Sequence, residues 1–529
     1  MNSPPLETRL IPLLLNSRAY PHATDTIELL ETHISWILLT GEFAYKIKKP
    51  VDFGFLDFST LEKRRFCCLE ELRLNRRFSS SLYLDVVPIT GNSEKPEMGG
   101  AGMATEYAVK MQQFDQQGLM SIRAENGLLS TDDIDGIASI VSRFHNDTDT
   151  ANQESPFGEP DDIKHWSEEN FQHIEPLLDD ASEIRRLKSL HTWTRNEWQQ
   201  KAELMQQRKR QGFIRECHGD LHLGNIALID DQVTPFDCIE FNPMLRWIDV
   251  ASEMAFIFMD LIHRQFEALA WRLLNRYLHQ TGDYQGLALL RYYLVYRALV
   301  RGKVALLRMQ QDSDPSNRNS IKAEYQAYAD LAERHIQTPR PMLLITHGFS
   351  GSGKSFFAEK LAEQLGAIHL RSDIERKRLY GFAPQESTNS EAGGGIYNTE
   401  AGEITYRHLA DTTHAILNEG FSVIVDATFL KQTQRAEFIA LTEKTDALLL
   451  ILDFKASQKT LIERIDSRQK RGTDPSEATP DILQRQIDSD EPLTEPEQNM
   501  TITVDTENES AFEDLFAAIK TLGIGHKEI

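Results

Sequence analysis

The chain has 529 residues, a formal net charge of −23, 40% hydrophobic and 26% charged residues. That length calls for two or three domains rather than one core, the composition fits folded globular domains, and the acidic balance argues against a broad nucleic-acid-binding surface while leaving room for a pocket for one nucleotide. No apolar run approaches the roughly 18 residues of a membrane span, and the four cysteines (Cys67, Cys68, Cys217, Cys238) make neither a disulfide framework nor a zinc-ligand pattern, so no membrane partner and a reducing cytoplasm are expected.

In chain order, "LIPLLL" follows Glu7 and Arg9 and lacks a small-residue cleavage site, so it reads as part of an amphipathic helix and not as a signal peptide. "TIELLETHI", "SWILLTG" and "FAYKIKK" read as three short strands. "STLEKRRFCCLEELRLNRRFS" reads as a helix with Ser59 or Thr60 as N-cap. "YLDVVPIT" and "TEYAVKMQQF" are two more strands, joined by a Gly-rich loop at 91–104. Three strands, a helix and two strands make a small lobe. From about 130 to 335 the pattern is mostly helical, broken by short strand and loop segments around 214–242. "QDSDPSNRNS" is a polar break, a helix follows around 320–336, and Pro339 and Pro341 in "QTPRP" close it. Beyond a boundary near 338, strands such as "MLLITHG", "AIHLRSD", "SVIVDAT", "ALLLILDF" and "MTITVDT" alternate with helices, which predicts a parallel sheet covered on both faces.

"GFSGSGKS" fits the phosphate-loop pattern G-x-x-x-x-G-K-[ST]. Gly348, Gly351 and Gly353, with Ser350 and Ser352 between them, let the backbone wrap so that its N–H groups face phosphate oxygens. The following helix aims its positive end at the same anion. Lys354 neutralises β/γ-phosphate charge and the Ser355 hydroxyl coordinates Mg²⁺. A bare Gly/Ser turn before a helix would give the same letters, and the apolar strand before it and amphipathic helix after it favour the phosphate loop. Asp426, at the end of "SVIVDAT", is placed to hold Mg²⁺, or else simply ends the strand. Asp373 sits at the carboxyl end of the second strand, beside the crevice of an open α/β sheet, with Arg376 and Lys377 one helical turn on. A carboxylate beside basic groups suits orienting and deprotonating an acceptor hydroxyl; a helix cap with an ion pair is the plainer alternative. Arg464, Arg468 and Arg471 form a basic run that either closes as a lid on ATP or is a solvated helix face. Together these residues resemble the small P-loop kinases, particularly the zeta-toxin-like and small-metabolite kinase group, over about 340–529. Gly393–Gly395 and Tyr397 fall in an insertion near the expected acceptor pocket.

"HGDLHLGN" supplies His218, Asp220 and Asn225, and Asp237 follows in "TPFDCIEF". Phosphoryl transfer is mostly positioning and charge neutralisation. Asp220 can accept a hydroxyl proton, Asn225 and Asp237 can bind Mg²⁺ on ATP, and a hairpin from "NIALID" to "TPFD" would return Asp237 toward Asn225. His218 and His222 read as loop braces, and Asp249 as a helix cap that braces the loop. The motif resembles the catalytic loop of aminoglycoside phosphotransferases and of choline- and fructosamine-kinase-like proteins, which share the protein-kinase-like fold, over about 25–300. The resemblance implies a lysine on "AYKIKKP" for the α/β-phosphates, Lys46 with Lys48 as competitor. It implies an acidic partner for that lysine on "CLEELRLNRR", Glu71 with Glu70 as alternate. It also implies a hinge at 109–114 for adenine. The turn around "ETHISW" has no glycine where protein kinases carry a Gly-rich loop, so His33, Ser35 and nearby backbone would have to serve.

The expected fold is thus α/β and α+β in two domains. Residues 1–337 form a bilobal protein-kinase-like domain (small lobe about 24–114, helical lobe about 115–335), and 338–529 a P-loop NTPase fold. The resemblance is to a fusion of an aminoglycoside-phosphotransferase-like domain with a P-loop kinase-like domain. It implies an ATP- and Mg²⁺-dependent kinase acting on small-molecule hydroxyls, with Asp220, Asp373, Lys354 and Lys46 catalytic. In the alternative, a P-loop kinase or ATPase carries a non-catalytic kinase-like domain.

Overall fold

The computed structural model describes residues 10–522 apart from 25, 55, 93, 312–313, 389–393 and 472–473. Contacts divide the chain into two compact units, one of residues 1–136, 143–169 and 198–260, the other of 137–142, 170–197 and 261–529. Among the described residues no helix is long and apolar enough to cross a membrane.

In the first unit, β1 (Glu28–Glu31), β2 (Ser35–Leu39), β3 (Phe43–Lys48), β4 (Tyr83–Asn92), β5 (Lys95–Met98) and β6 (Glu106–Gln112) form an antiparallel sheet in the order β1-β2-β3-β6-β4-β5. Alternation in "SWILL" and "FAYKIK" sends Trp36, Leu38, Tyr45 and Ile47 into one core cluster. The expected Gly-rich loop at 91–104 holds a strand of its own. "KPEM" folds back on β4, pairing Ile89 with Met98, and Gly91 takes a positive φ of 91° at the reversal. The lobe therefore has three strands, a helix and three strands. The helix is α1 (Leu61–Asn75), capped by Thr60, whose hydroxyl accepts from the Lys63 N–H. It lays Cys68 and Leu72 on Tyr83 and Val109 of the sheet. Further on, β7 (Ile214–Glu216) pairs with β10 (Trp247–Asp249), and β8 (Ile226–Ile229) with β9 (Gln232–Pro235). The β8–β9 hairpin turns through Asp230 and Asp231, both at positive φ, as a two-residue turn with the right twist requires. Helix α2 (Val250–His263) follows. A small antiparallel lobe with one helix, followed by a loop and a hairpin, is the element order expected of a protein-kinase-like fold.

The second unit contains α3 (Glu267–Thr281), α4 (Leu287–Gln311), α5 (Pro315–His335), β11 (Met342–His347), α6 (Lys354–Leu365), β12 (Ile368–Arg371), α7 (Ser372–Leu379), α8 (Thr399–Asn418), β13 (Val423–Asp426), α9 (Gln432–Thr445), β14 (Leu448–Lys455), α10 (Gln458–Arg471), α11 (Pro480–Ser489), β15 (Thr501–Asp505) and α12 (Ala511–Thr521). All pairings in its sheet are parallel, in the order β12-β13-β11-β14-β15. This is the P-loop NTPase fold, with β11 buried along its whole length. The polar break at 311–320 is shorter than its composition suggests. Helix α5 begins at Pro315 behind an Asp314 cap, because proline suits the first helical position, where its missing N–H costs nothing. The parallel sheet begins just after residue 338, yet helices α3–α5 before it belong by contacts to the same unit.

Candidate functional site

The second unit holds a cavity of about 770 Å³ at the carboxyl end of the parallel sheet, lined by the phosphate loop and by Arg371, Asp373, Arg376, Asp426, Arg464 and Arg468 among others. Gly348, Gly351 and Gly353 have φ of 135°, 84° and 95°. A Cβ at Gly348 would lie 2.6 Å from the Phe454 carbonyl, and one at Gly351 2.6 Å from the Leu461 carbonyl. Glycine is required at both by space as well as by φ. The loop opens into α6, whose first residues are Lys354 and Ser355. Lys354 Nζ donates to the Phe349 carbonyl at 2.7 Å. Burial pushes its ammonium down to about 8, against the pull of Asp426 and Asp373. Ser350 is held from α11: its N–H donates to Gln486 Oε1 at 2.8 Å, and Gln486 Nε2 donates to its hydroxyl at 3.0 Å. The Ser352 hydroxyl is buried without a partner among the described residues.

Burial raises the Asp426 carboxyl, but His369, Arg371 and the Ser355 hydroxyl more than reverse it, so it is held well below the usual carboxylate range. An ionised carboxylate beside a serine hydroxyl at a phosphate loop is a donor set that fits Mg²⁺. Asp373 is not the N-cap of α7; Arg371 is. Asp373 lines the cavity and accepts from Arg376 Nη1 at 3.3 Å. Of the two basic residues one turn on, Arg376 lines the cavity and Lys377 does not. Lys377 is buried and bound to Glu477 at 3.1 Å. Arg464 is tied to backbone, donating to Gly351 O at 3.4 Å and to Thr506 O at 2.9 Å. Arg468 lines the same cavity, with Nε and Nη2 unpartnered among the described residues. Gly393 lies outside the described residues, as does the side chain of Arg471, while Tyr397 lines the cavity with the Arg376 guanidinium over its ring.

In the first unit, Lys46 Nζ donates to Glu71 Oε1 at 2.9 Å and also to Asp237. Lys48 donates to Glu71 Oε2 at 2.7 Å and also to Glu240. Both lysines therefore share Glu71, and the downstream carboxylate distinguishes them. Burial pulls the Lys46 ammonium down, and Asp237, Glu71 and Glu240 together hold it well above its usual value. Glu70 points elsewhere, to Arg73 and Arg246. Asn225 Nδ2 donates to Asp220 O at 2.9 Å and to Asp220 Oδ2 at 3.0 Å. Asp237 has a φ of 66°, a left-handed conformation, and its N–H meets the Tyr83 hydroxyl at 3.1 Å. The hairpin pairs Ile226 with Pro235 and returns the chain toward Asn225, whose carbonyl accepts the Phe236 N–H at 2.9 Å, and so places Asp237 on Lys46; Asn225 meets Asp220 within the loop itself. His218 donates Nε2–H to the Phe236 carbonyl at 2.8 Å, and burial keeps its imidazole low. His222 Nδ1 accepts from the Gly224 N–H at 3.0 Å.

Asp249 caps α2 through the Ala251 N–H at 2.8 Å and pairs with Arg208, but the loop itself is braced by two residues the sequence reading passed over. Glu253 accepts the N–H groups of His218 at 2.9 Å and Gly219 at 2.7 Å, and Asp260 accepts that of Leu223 at 2.9 Å. Their spacing, 249, 253, 260, follows one face of α2 and was the available signal. The glycine-free turn after β1 is organised by Thr32, whose hydroxyl oxygen accepts the Ser35 N–H at 3.0 Å and the Ile34 N–H at 3.4 Å. Those donors are occupied, and Ser35 is buried.

Residues 343–493 match the family model of an AAA domain, a span that includes the phosphate loop, Asp373, Asp426, Arg464 and Arg468. An uncharacterised protein of Mycobacterium tuberculosis is 28% identical over 469 residues, spanning 88% of this chain and 91% of the relative. Among solved structures, a choline/ethanolamine kinase family protein from Mesorhizobium loti is 11% identical and covers 62% of this chain and 97% of its own, with a TM-score of 0.38. A gluconokinase from Sinorhizobium meliloti is 21% identical and covers 35% of this chain and 95% of its own, with a TM-score of 0.26.

Proposed function

We propose that the chain is an ATP-dependent phosphotransferase with two sites, each moving the γ-phosphate of ATP to a hydroxyl of a small molecule. The observation that carries this reading is the second-unit cavity, where a phosphate loop, a buried lysine, an ionised carboxylate beside a serine and a cavity-facing Asp373 share one space. The loop N–H groups and Lys354 hold the β- and γ-phosphates. Ser355 and Asp426 would hold Mg²⁺, which neutralises phosphate charge when bound. Asp373 takes the acceptor's hydroxyl proton as its oxygen bonds to the γ-phosphorus and the bond to ADP breaks. Arg468, with unpartnered N–H groups in the cavity, stabilises the charge on the transferred group. In the first unit the same roles fall to Lys46 and Glu71 for the phosphates, Asp220 for the proton, and Asn225 and Asp237 for Mg²⁺.

A second reading keeps the P-loop site and makes the first unit a non-catalytic binding module. The Thr32 turn favours it, since its Thr32, Ile34 and Ser35 N–H groups are spent internally. Wild type, Asp220→Ala and Lys354→Ala, each given labelled ATP, Mg²⁺ and a metabolite extract, decide between them. Two sites predict that each variant loses a different phosphorylated product. Loss only with Lys354→Ala supports the second reading, and no loss with either variant refutes both.

A further inference from the structure

Helix α7 has two working faces. Asp373 and Arg376 face the cavity, while Glu375 and Arg378, displaced by about 200° from them at 100° per residue, face the other way and form their own pair. Glu375 is buried, and its carboxylate gathers Arg378, His408 Nε2 at 3.1 Å and the Tyr284 hydroxyl at 3.0 Å. Arg378 also donates to the His279 carbonyl at 2.6 Å, capping the end of α3. Tyr284, His279 and their neighbours precede the AAA-domain match at 343–493.

The same segment completes the sheet. Strand β12, which leads directly into α7, is the edge of the parallel sheet, and among the described residues its outer backbone groups have no strand partner. Asn275 supplies one, accepting the His369 N–H at 2.8 Å and donating to the Ala367 carbonyl at 3.0 Å. His279 Nε2, one helical turn on, meets the His369 carbonyl at 2.7 Å. Arg272 adds ion pairs to Glu359 at 2.9 Å and Glu363 at 2.7 Å on α6, the helix that carries Lys354. Both walls of the cavity, the phosphate-loop helix and the acceptor-side helix, are thus gripped by one stretch of α3.

We propose that residues 271–284 are a buttress that positions α7 in the phosphoryl-transfer site, with Tyr284 and Arg378 as positioning residues. The proposal rests on reading the cavity as a phosphotransferase site. A side chain on a helix reaches roughly 6 Å from the axis, so rotating α7 by about 10° moves the Asp373 carboxylate by about 1 Å. Misplacement by about 1 Å costs on the order of 10²-fold in a positioned reaction. ATP binding and its hydrolysis by water use the loop and α6 and do not need Asp373 in register.

The test uses the full chain carrying Tyr284→Phe, which removes one hydroxyl and keeps the ring, and separately Arg378→Lys. Three quantities are read: affinity for a fluorescent ATP analogue, ATP hydrolysis without acceptor, and phosphoryl transfer to the small-molecule pool of a cell extract. Formation of the product that Lys354→Ala abolishes should fall on the order of 10²-fold in both variants, while analogue affinity and hydrolysis stay within about twofold. In parallel, amide exchange over 374–379 should quicken about tenfold, with 356–362 in α6 unchanged. A proportional fall in all three activities would mean that the residues only stabilise the fold, and unchanged transfer would remove their role; either overturns the proposal. If wild type transfers nothing and Lys354→Ala binds the analogue as well as wild type, the phosphotransferase reading fails instead. Exchange over 374–379 then still decides whether residues 271–284 hold α7.

Discussion

Replacing Glu253 by glutamine tests how the catalytic-type loop of the first unit is held. Glu253 is fully buried, and burial alone would raise its carboxyl. Instead His145, His218 and the loop N–H groups bring it from 4.5 down to about 2. That displacement corresponds to roughly 3 kcal/mol of preference for the charged carboxylate. Both oxygens are in use, one toward the His218 N–H and His145, the other toward the Gly219 N–H. Glutamine keeps one acceptor and turns an NH₂ donor toward a backbone donor, leaving a buried N–H unsatisfied beside the lost charge. The combined cost is about 3–5 kcal/mol. Urea unfolding should show the loss, and amide exchange at His218 and Gly219 should quicken by more than about 100-fold. The pH dependence has a fixed sign. Because the folded value lies below the unfolded one, the stabilisation is complete above 4.5 and is lost as pH falls from 4.5 toward 2. Wild type and variant should therefore converge in acid. An unchanged unfolding midpoint with unchanged exchange at 218–219 would refute the brace.

Two further outcomes follow from buried charge and from the sheet edge. Lys48→Met should destabilise the first unit by about 3–5 kcal/mol in urea unfolding, because Glu240 and one oxygen of Glu71 lose their buried cation; the paired change Lys48→Met with Glu240→Leu should recover most of that loss. A fragment of residues 338–529 should aggregate or melt without cooperativity in scanning calorimetry, since it bares the edge of β12, whereas residues 261–529 should melt cooperatively.

The sequence alone determined the local features. A phosphate loop needs glycines at positive φ ahead of a helix, and "GFSGSGKS" between an apolar strand and an amphipathic helix specifies that backbone by itself. Alternating apolar strands and helices likewise specified a parallel sheet, and the hairpin from "NIALID" to "TPFD" returns Asp237 toward Asn225, where the Phe236 N–H donates to the Asn225 carbonyl. Which partner each residue takes was decided by tertiary structure. Lys46 and Lys48 lie on one strand face and both reach Glu71; only the return of the chain at Asp237 and Glu240 separates them. Arg464 and Arg468 lie one helical turn apart; Thr506 after β15 and the Gly351 carbonyl tie the first, and among the described residues two N–H groups of the second stay unpaired. Glu253, Asp260, Tyr284 and Asn275 carry no motif, because each acts on backbone or carboxylate far away in the chain. Periodicity and spacing report which face of an element a residue occupies. What that face meets depends on how elements separated by tens to hundreds of residues pack, and in this protein that packing sets the braces of both sites.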